Sequence, residues 1–194
     1  MYDPAKQIYA TVNNGRDGEG ICAAIALAYC ADFARGKREL ETRRTGANLE
    51  ILKSYFQESM AASRARHDMS RAAVARGQPG EVDADAFTFQ DQHLAAIFRV
   101  GHTRAAVYPA GALFGYLPAI NQAWYLSHDQ KFDGEGGHAI AVSKGASDEH
   151  IYLLDPNHGL YRYTTQEAYQ SEIVSVFATY MSRTWGRAII TALP

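Results

Sequence analysis

The sequence predicts an α+β fold, and three patterns carry that expectation. Residues 21–35 are alanine-rich and apolar nearly all round, as in a helix buried on most of its faces. Arginine-rich amphipathic segments follow, with polar and apolar positions alternating at helical spacing. The C-terminal half then holds short apolar runs bounded by turn formers, with one helical segment among them. Helices first and an antiparallel sheet afterwards give α+β, since parallel sheets need regular βαβ alternation.

Taken in order, residues 7–13 read as a short strand and residues 13–20 as a loop whose three glycines can take positive φ. The alanine-rich helix opens at Cys22 and ends before Gly36, a residue suited to the left-handed turn that closes a helix. Two helices are expected at 48–63 and 65–76, the second broken by Gly77-Gln78-Pro79-Gly80. Another lies within 83–100, with Phe89, Leu94, Ile97 and Phe98 as its apolar face. Residues 103–129 are aromatic and interrupted by glycine, and only Trp124-Tyr125-Leu126-Ser127 reads as a strand. Residues 137–142 and 151–157 form a β-hairpin around a polar run at 143–150. A strand at 160–163 comes next, then a helix capped by Thr164 or Thr165 and running to about Ser182, with Tyr169, Ile173, Val176, Phe177 and Tyr180 at helical spacing. Residues 187–193 close the chain as a strand.

Length and charge narrow the classes. A chain of 194 residues fits one domain, 1–194, with room for a sizeable core. A net charge of −2 argues against nucleic acid as the main partner, because phosphate binding shows as a basic excess. No stretch approaches the roughly 20 apolar residues of a membrane span. No basic region followed by an apolar run opens the chain, so no secretory signal peptide is expected. Two cysteines cannot build a disulfide framework and read as free thiols in a reducing compartment.

The chemistry starts from the hairpin. If its pairing is centred between Ala146 and Ser147, His138 falls opposite Asp155, and opposed side chains sit about 5 Å apart at Cβ. A carboxylate at that distance can orient an imidazole. Asp155-Pro156-Asn157 also reads as a plain turn, with the carboxylate bonding the backbone two residues on. Strand alternation puts His150 on the face away from Asp155, and His158 reads as a surface-loop residue. Cys22 stands where a glycine-rich loop meets a helix N-terminus, whose free N–H groups and partial positive charge favour a thiolate. Cys30, two turns further into the apolar helix, reads as a structural thiol. His67, His93, His102 and His128 show no metal-ligand spacing with the cysteines, so neither a metal nor another cofactor is expected. Arg64, Arg66, Arg71 and Arg76 read as a solvated helix face. A thiol, an imidazole and a carboxylate together have the logic of nucleophile, base and orienter.

Gly20-Ile21-Cys22 opening a helix, Gly137-His138-Ala139-Ile140-Ala141-Val142, and Asp155 to Tyr161 resemble the YopT and AvrPphB family of bacterial effector cysteine proteases, a papain-like group. The resemblance covers the cysteine helix and the C-terminal half, not residues 40–125. It implies a Cys22-His138-Asp155 triad in which the alanine-rich helix packs on the C-terminal sheet. It also implies a secreted effector or toxin, without a signal peptide, that cleaves a protein substrate in the target-cell cytoplasm through a thioester. Expected partners are that substrate and a secretion chaperone or immunity protein. Papain-like enzymes place an amide side chain shortly before the cysteine for the oxyanion hole. Here Arg16 and Asp17 stand there, so Asn14 and Asp17 are the candidates. The same triad would also serve a peptidoglycan amidopeptidase, a deamidase or a transglutaminase, and a catalytically inactive binding module keeps the fold without the chemistry.

Overall fold

The computed structural model describes residues 7–10, 21–36, 46–77, 86–109, 117–128, 138–145, 150–177 and 184–194. Seven strands form one antiparallel sheet: β1 (Gln7–Ala10), β2 (Val100–Pro109), β3 (Gln122–His128), β4 (His138–Lys144), β5 (Ile151–Asp155), β6 (Gly159–Tyr163) and β7 (Thr184–Ala192). They lie in the order β1-β6-β5-β4-β3-β7-β2. The helices are α1 (Cys22–Ala34), α2 (Gly46–Ala75), α3 (Ala86–Ile97) and α4 (Gln166–Phe177). The expected α+β architecture holds, with the cysteine-bearing helix against the sheet formed largely by the C-terminal half.

Both faces of the sheet are covered, and the strand sequences say why. Along β3, Ala123 and Tyr125 join the apolar cluster around α1, while Trp124 and Leu126 join a second cluster that includes Tyr169 and Ile173 of α4. Successive residues of a strand point to opposite faces, so a strand apolar at nearly every position must be buried on both. Helix α1 fills the first face because alanine lets its backbone approach the strands. From Cys22 to Asp32 every residue but Ile25 is buried. Gly36, at φ 70°, donates its N–H to the Phe33 carbonyl and ends this helix as the sequence predicts.

A buried polar contact helps pin α1 to the sheet. The Tyr29 hydroxyl and Ser143 Oγ on β4 lie 2.6 Å apart and are buried. Tyr29→Phe would leave Ser143 without that partner, and a loss of about 1 kcal/mol is expected, read as a lower midpoint in urea unfolding with an unchanged slope.

The middle of the chain differs from the sequence reading in two ways. Residues 46–75 are one continuous helix rather than two, ended by Gly77 at φ 70°. Its first half packs along Leu52, Ser59 and Ser63, while from Arg64 onward most of its side chains are exposed. What changes near Ser63 is the surroundings, not the backbone. The stretch after Phe98 contains a ten-residue edge strand, β2, beside β7. Here Arg35, which caps the C-terminus of α1, donates hydrogen bonds to the Phe98 and Arg99 carbonyls, satisfying backbone acceptors that follow α3.

Elsewhere the boundaries differ modestly. β1 covers 7–10, with 11–13 outside the described residues. β6 and β7 begin earlier than read, at Gly159 and Thr184. Helix α4 is capped by Thr165, whose Oγ1 accepts from the Ala168 N–H at 3.2 Å, and residues 178–182 of the expected helix lie outside the described part. The side chains of Phe89, Val176 and Phe177, and residue Tyr180, also lie outside it.

Candidate active site

Three elements converge. Cys22 is the first residue of α1, and Ile21 before it caps the helix without any side-chain hydrogen bond. The first-turn N–H groups are therefore not claimed by a capping side chain, and the positive end of the helix faces the thiol. His138 is the first residue of β4 and Asp155 the last of β5; both are buried, at 6% and 2% exposure. Because the interior β4-β5 pair carries them, neither depends on a loop for its placement.

His138 Nε2 and Asp155 Oδ1 are 3.0 Å apart, and Asp155 Oδ1 also accepts the Asn157 N–H at 2.9 Å. The carboxylate thus orients the imidazole and closes the turn at the same time. The turn reading and the orienter reading of the sequence describe one group. Cys22 lies on the same ring, as a hydrogen-bond partner of His138. With Nε2 committed to Asp155, Nδ1 is the nitrogen left for the thiol.

The electrostatics follow from that geometry. Burial alone pushes the His138 imidazolium toward losing its proton, but the hydrogen bonds and charges of Asp155 and Cys22 outweigh it and raise the pKa to about 10. Burial pushes Asp155 up, yet the hydrogen bond and charge of His138, the Asn157 N–H and the charge of His158 bring it below its ordinary value. Cys30 is wholly buried, and desolvation drives its thiol far upward, which makes it a poor nucleophile.

The hairpin register departs from the symmetric one. β4 and β5 pair Ala141 with Leu154 and Lys144 with Ile151, so the centre lies between Ser147 and Asp148. Continued outward, that register puts Ile140 opposite Asp155 and makes His138 its diagonal neighbour. A shift of two residues keeps both side chains on one face, and a diagonal pair is still within reach of an imidazole and a carboxylate. His150 stacks edge-on against Tyr152, with ring centroids 6.3 Å apart. His158 is exposed, beside Asp155 in charge though not in the pair. Asn14 and Asp17 lie outside the described residues. Among the described residues, no group of three His, Cys, Asp or Glu side chains could hold a metal ion.

Sequence reasoning passed over a second polar cluster beside the thiol. Asp91 of α3 is buried, accepting from the Tyr125 hydroxyl through Oδ1 at 2.7 Å and from Ser127 Oγ through Oδ2 at 3.1 Å. Its signal was present in the sequence. Asp91 falls on the stripe of Leu94, Ala95 and Phe98, an acid on the face that helix α3 buries.

The fold and the arrangement of elements are those of the papain-like class. In particular, the chain is similar to the Pseudomonas avirulence protein AvrPphB, whose crystal structure matches with a TM-score of 0.61 at 16% identity, covering 97% of this chain and 99% of that one. A weaker similarity, TM-score 0.45 at 9% identity, links 95% of this chain to 54% of PatoxP, a cysteine protease-like domain of the Photorhabdus asymbiotica toxin PaTox. No protein-family model matches the chain, and no curated protein matches it in sequence.

Proposed function

We propose that this protein is a papain-like cysteine peptidase that acts on a protein substrate through a thioester on Cys22. The observation that carries the reading is one imidazole held at 3.0 Å by a buried carboxylate and also hydrogen-bonded with a thiol at a helix N-terminus. The Cys22 thiolate attacks the amide carbonyl, and the carbon–nitrogen bond breaks as His138 Nδ1 delivers its proton to the departing amine. Water then attacks the thioester, His138 taking its proton, and the thiol is released. Asp155 keeps the ring aimed and favours its charged form throughout. First-turn amides of α1 are the natural donors to the oxyanion, and Asn14 and Asp17, outside the described residues, stay the candidates for a further donor through side chain or backbone.

AvrPphB is named as an avirulence protein. By that likeness the present chain acts as an effector or toxin delivered into another cell, with its substrate there. No described helix is long and apolar enough to cross a membrane.

Thiol labelling tests the chemistry without knowledge of the substrate. At pH 6 iodoacetamide is expected to alkylate Cys22 at least tenfold faster than it alkylates a free cysteine, and His138→Ala should remove the advantage. Cys22 reacting no faster than a free cysteine would instead mark an inactive binding module. Incubation with purified peptidoglycan beside a cell lysate separates a peptidase from an amidopeptidase.

A further inference from the structure

We propose that Tyr161 is a positioning residue for the His138–Asp155 pair, its hydroxyl locking the turn that aims the Asp155 carboxylate. The inference rests on the peptidase reading and adds to it a residue outside the triad. Only Pro156, Asn157 and His158 separate Asp155, the end of β5, from Gly159, the start of β6, and these two ends pair with each other. Asp155 is tied through two of its oxygens. Its carbonyl accepts the His158 N–H at 3.0 Å, while Oδ1 accepts the Asn157 N–H at 2.9 Å and lies 3.0 Å from His138 Nε2. Tyr161 holds the other end of the turn, its hydroxyl donating to the His158 carbonyl at 3.2 Å. His158 is thus bound through both backbone groups, although its side chain is exposed.

The tie is firm at its root. Tyr161 is buried opposite Leu153 of β5, in the apolar cluster that also holds Ile140, Tyr169 and Ile173, so its ring does not follow a moving turn. Burial and the charges of Asp155 and Glu172 push its pKa up to about 12, so the hydroxyl keeps the proton it donates. Gly159, at φ 142°, takes a backbone conformation that a side chain would strain, which lets the chain reverse within three residues. The consequence for the site is geometric. Asp155 Oδ1 serves both Asn157 and His138 only while the turn keeps the Asn157 N–H over it. If His158 swings outward, that N–H leaves, the carboxylate is free to change rotamer, and the imidazole loses its orienting partner.

The test compares the wild type, Tyr161→Phe and Tyr163→Phe by NMR. Tyr161→Phe keeps the ring and its packing and removes one oxygen. Tyr163, two residues along the same face, has a buried phenol that interacts with Glu172 of α4, and it controls for the loss of such a hydroxyl. Two signals are read: exchange of the Asn157 and His158 amides in heavy water, and the downfield proton that His138 shares with Asp155. In Tyr161→Phe the two amides are expected to exchange roughly fivefold faster, the change in opening that one neutral hydrogen bond accounts for. The His138 proton should broaden and exchange sooner, while amides within β3, β4 and β5 keep their rates. Tyr163→Phe should leave both signals as in the wild type. Faster turn exchange with an unchanged His138 proton would reduce Tyr161 to a structural tie and overturn the proposal. Unchanged turn amides, or equal effects in the control, would overturn it as well. Lysate proteolysis reads the underlying activity separately: undiminished cleavage by His138→Ala would remove the peptidase reading and leave the two NMR signals as they were.

Discussion

Replacing Cys22 by alanine or serine is expected to lower proteolysis by roughly 10⁴-fold or more while leaving the fold in place. Losing the nucleophile of a triad removes the covalent route altogether, and what survives is only binding and oxyanion stabilisation. The structural cost is small because Cys22 is the first residue of α1, and serine nearly matches its shape. Cys30 makes the control. It is completely buried in α1, and Cys30→Ala should keep full activity at a cost of about 1 kcal/mol in stability. New protein N-termini generated in a cell lysate by the wild type and absent with Cys22→Ala would give the activity readout, and circular dichroism melting the fold. Equal cleavage by Cys22→Ala would end the mechanism.

The second large effect belongs to Asp155. Asp155→Asn is expected to reduce turnover by roughly a hundred- to ten-thousand-fold, because the ring loses both its orientation and the charge that stabilises its protonated form. The same substitution should reshape stability against pH, and the sign follows from the two shifts. His138 titrates higher in the folded protein than in the unfolded chain, so its contribution is complete below its ordinary value of 6.5 and drains away as the pH climbs toward about 10. Asp155 titrates lower when folded, so its contribution is complete above its ordinary value of 3.8 and is lost on acidification. The pair therefore supports the fold most between those two ordinary values. In Asp155→Asn the decline between pH 6.5 and 10 should flatten, since burial alone favours a neutral ring. Urea midpoints at pH 5, 7 and 9 check this, and an undiminished alkaline decline in the variant would contradict it.

The elements read correctly were those whose sequence pattern matches their surroundings throughout. Helix α1 is apolar on every side because it is enclosed, and β4 and β5 are apolar at successive positions because helices cover both faces of the sheet. Helix α2 was divided because its partners stop near Ser63, so the amphipathic pattern fades although no residue breaks the backbone. Strand β2 was missed for a geometric reason. It lies at the sheet edge and carries a bulge between Arg104 and Ala106, and an extra residue reverses the alternation that marks a strand. The His138 and Asp155 pairing survived a hairpin centre placed one residue off because that moves the register by two residues, which keeps both side chains on one face. Asp91 escaped because an acid between two glutamines looks like a solvent face until Leu94 and Phe98 are set on the same stripe.

The strand order has a consequence for how the protein is inactivated. β4 and β5 have neighbours on both sides, so their backbone amides open to hydrogen exchange only when much of the sheet opens with them. An imidazole and its carboxylate mounted there are lost together with the molecule's most protected structure. Partial fraying at β1 or β2, the two edges, leaves their hydrogen bond untouched. The His138–Asp155 pair therefore belongs to the most durable part of the fold, and its lifetime under heat is that of the whole sheet.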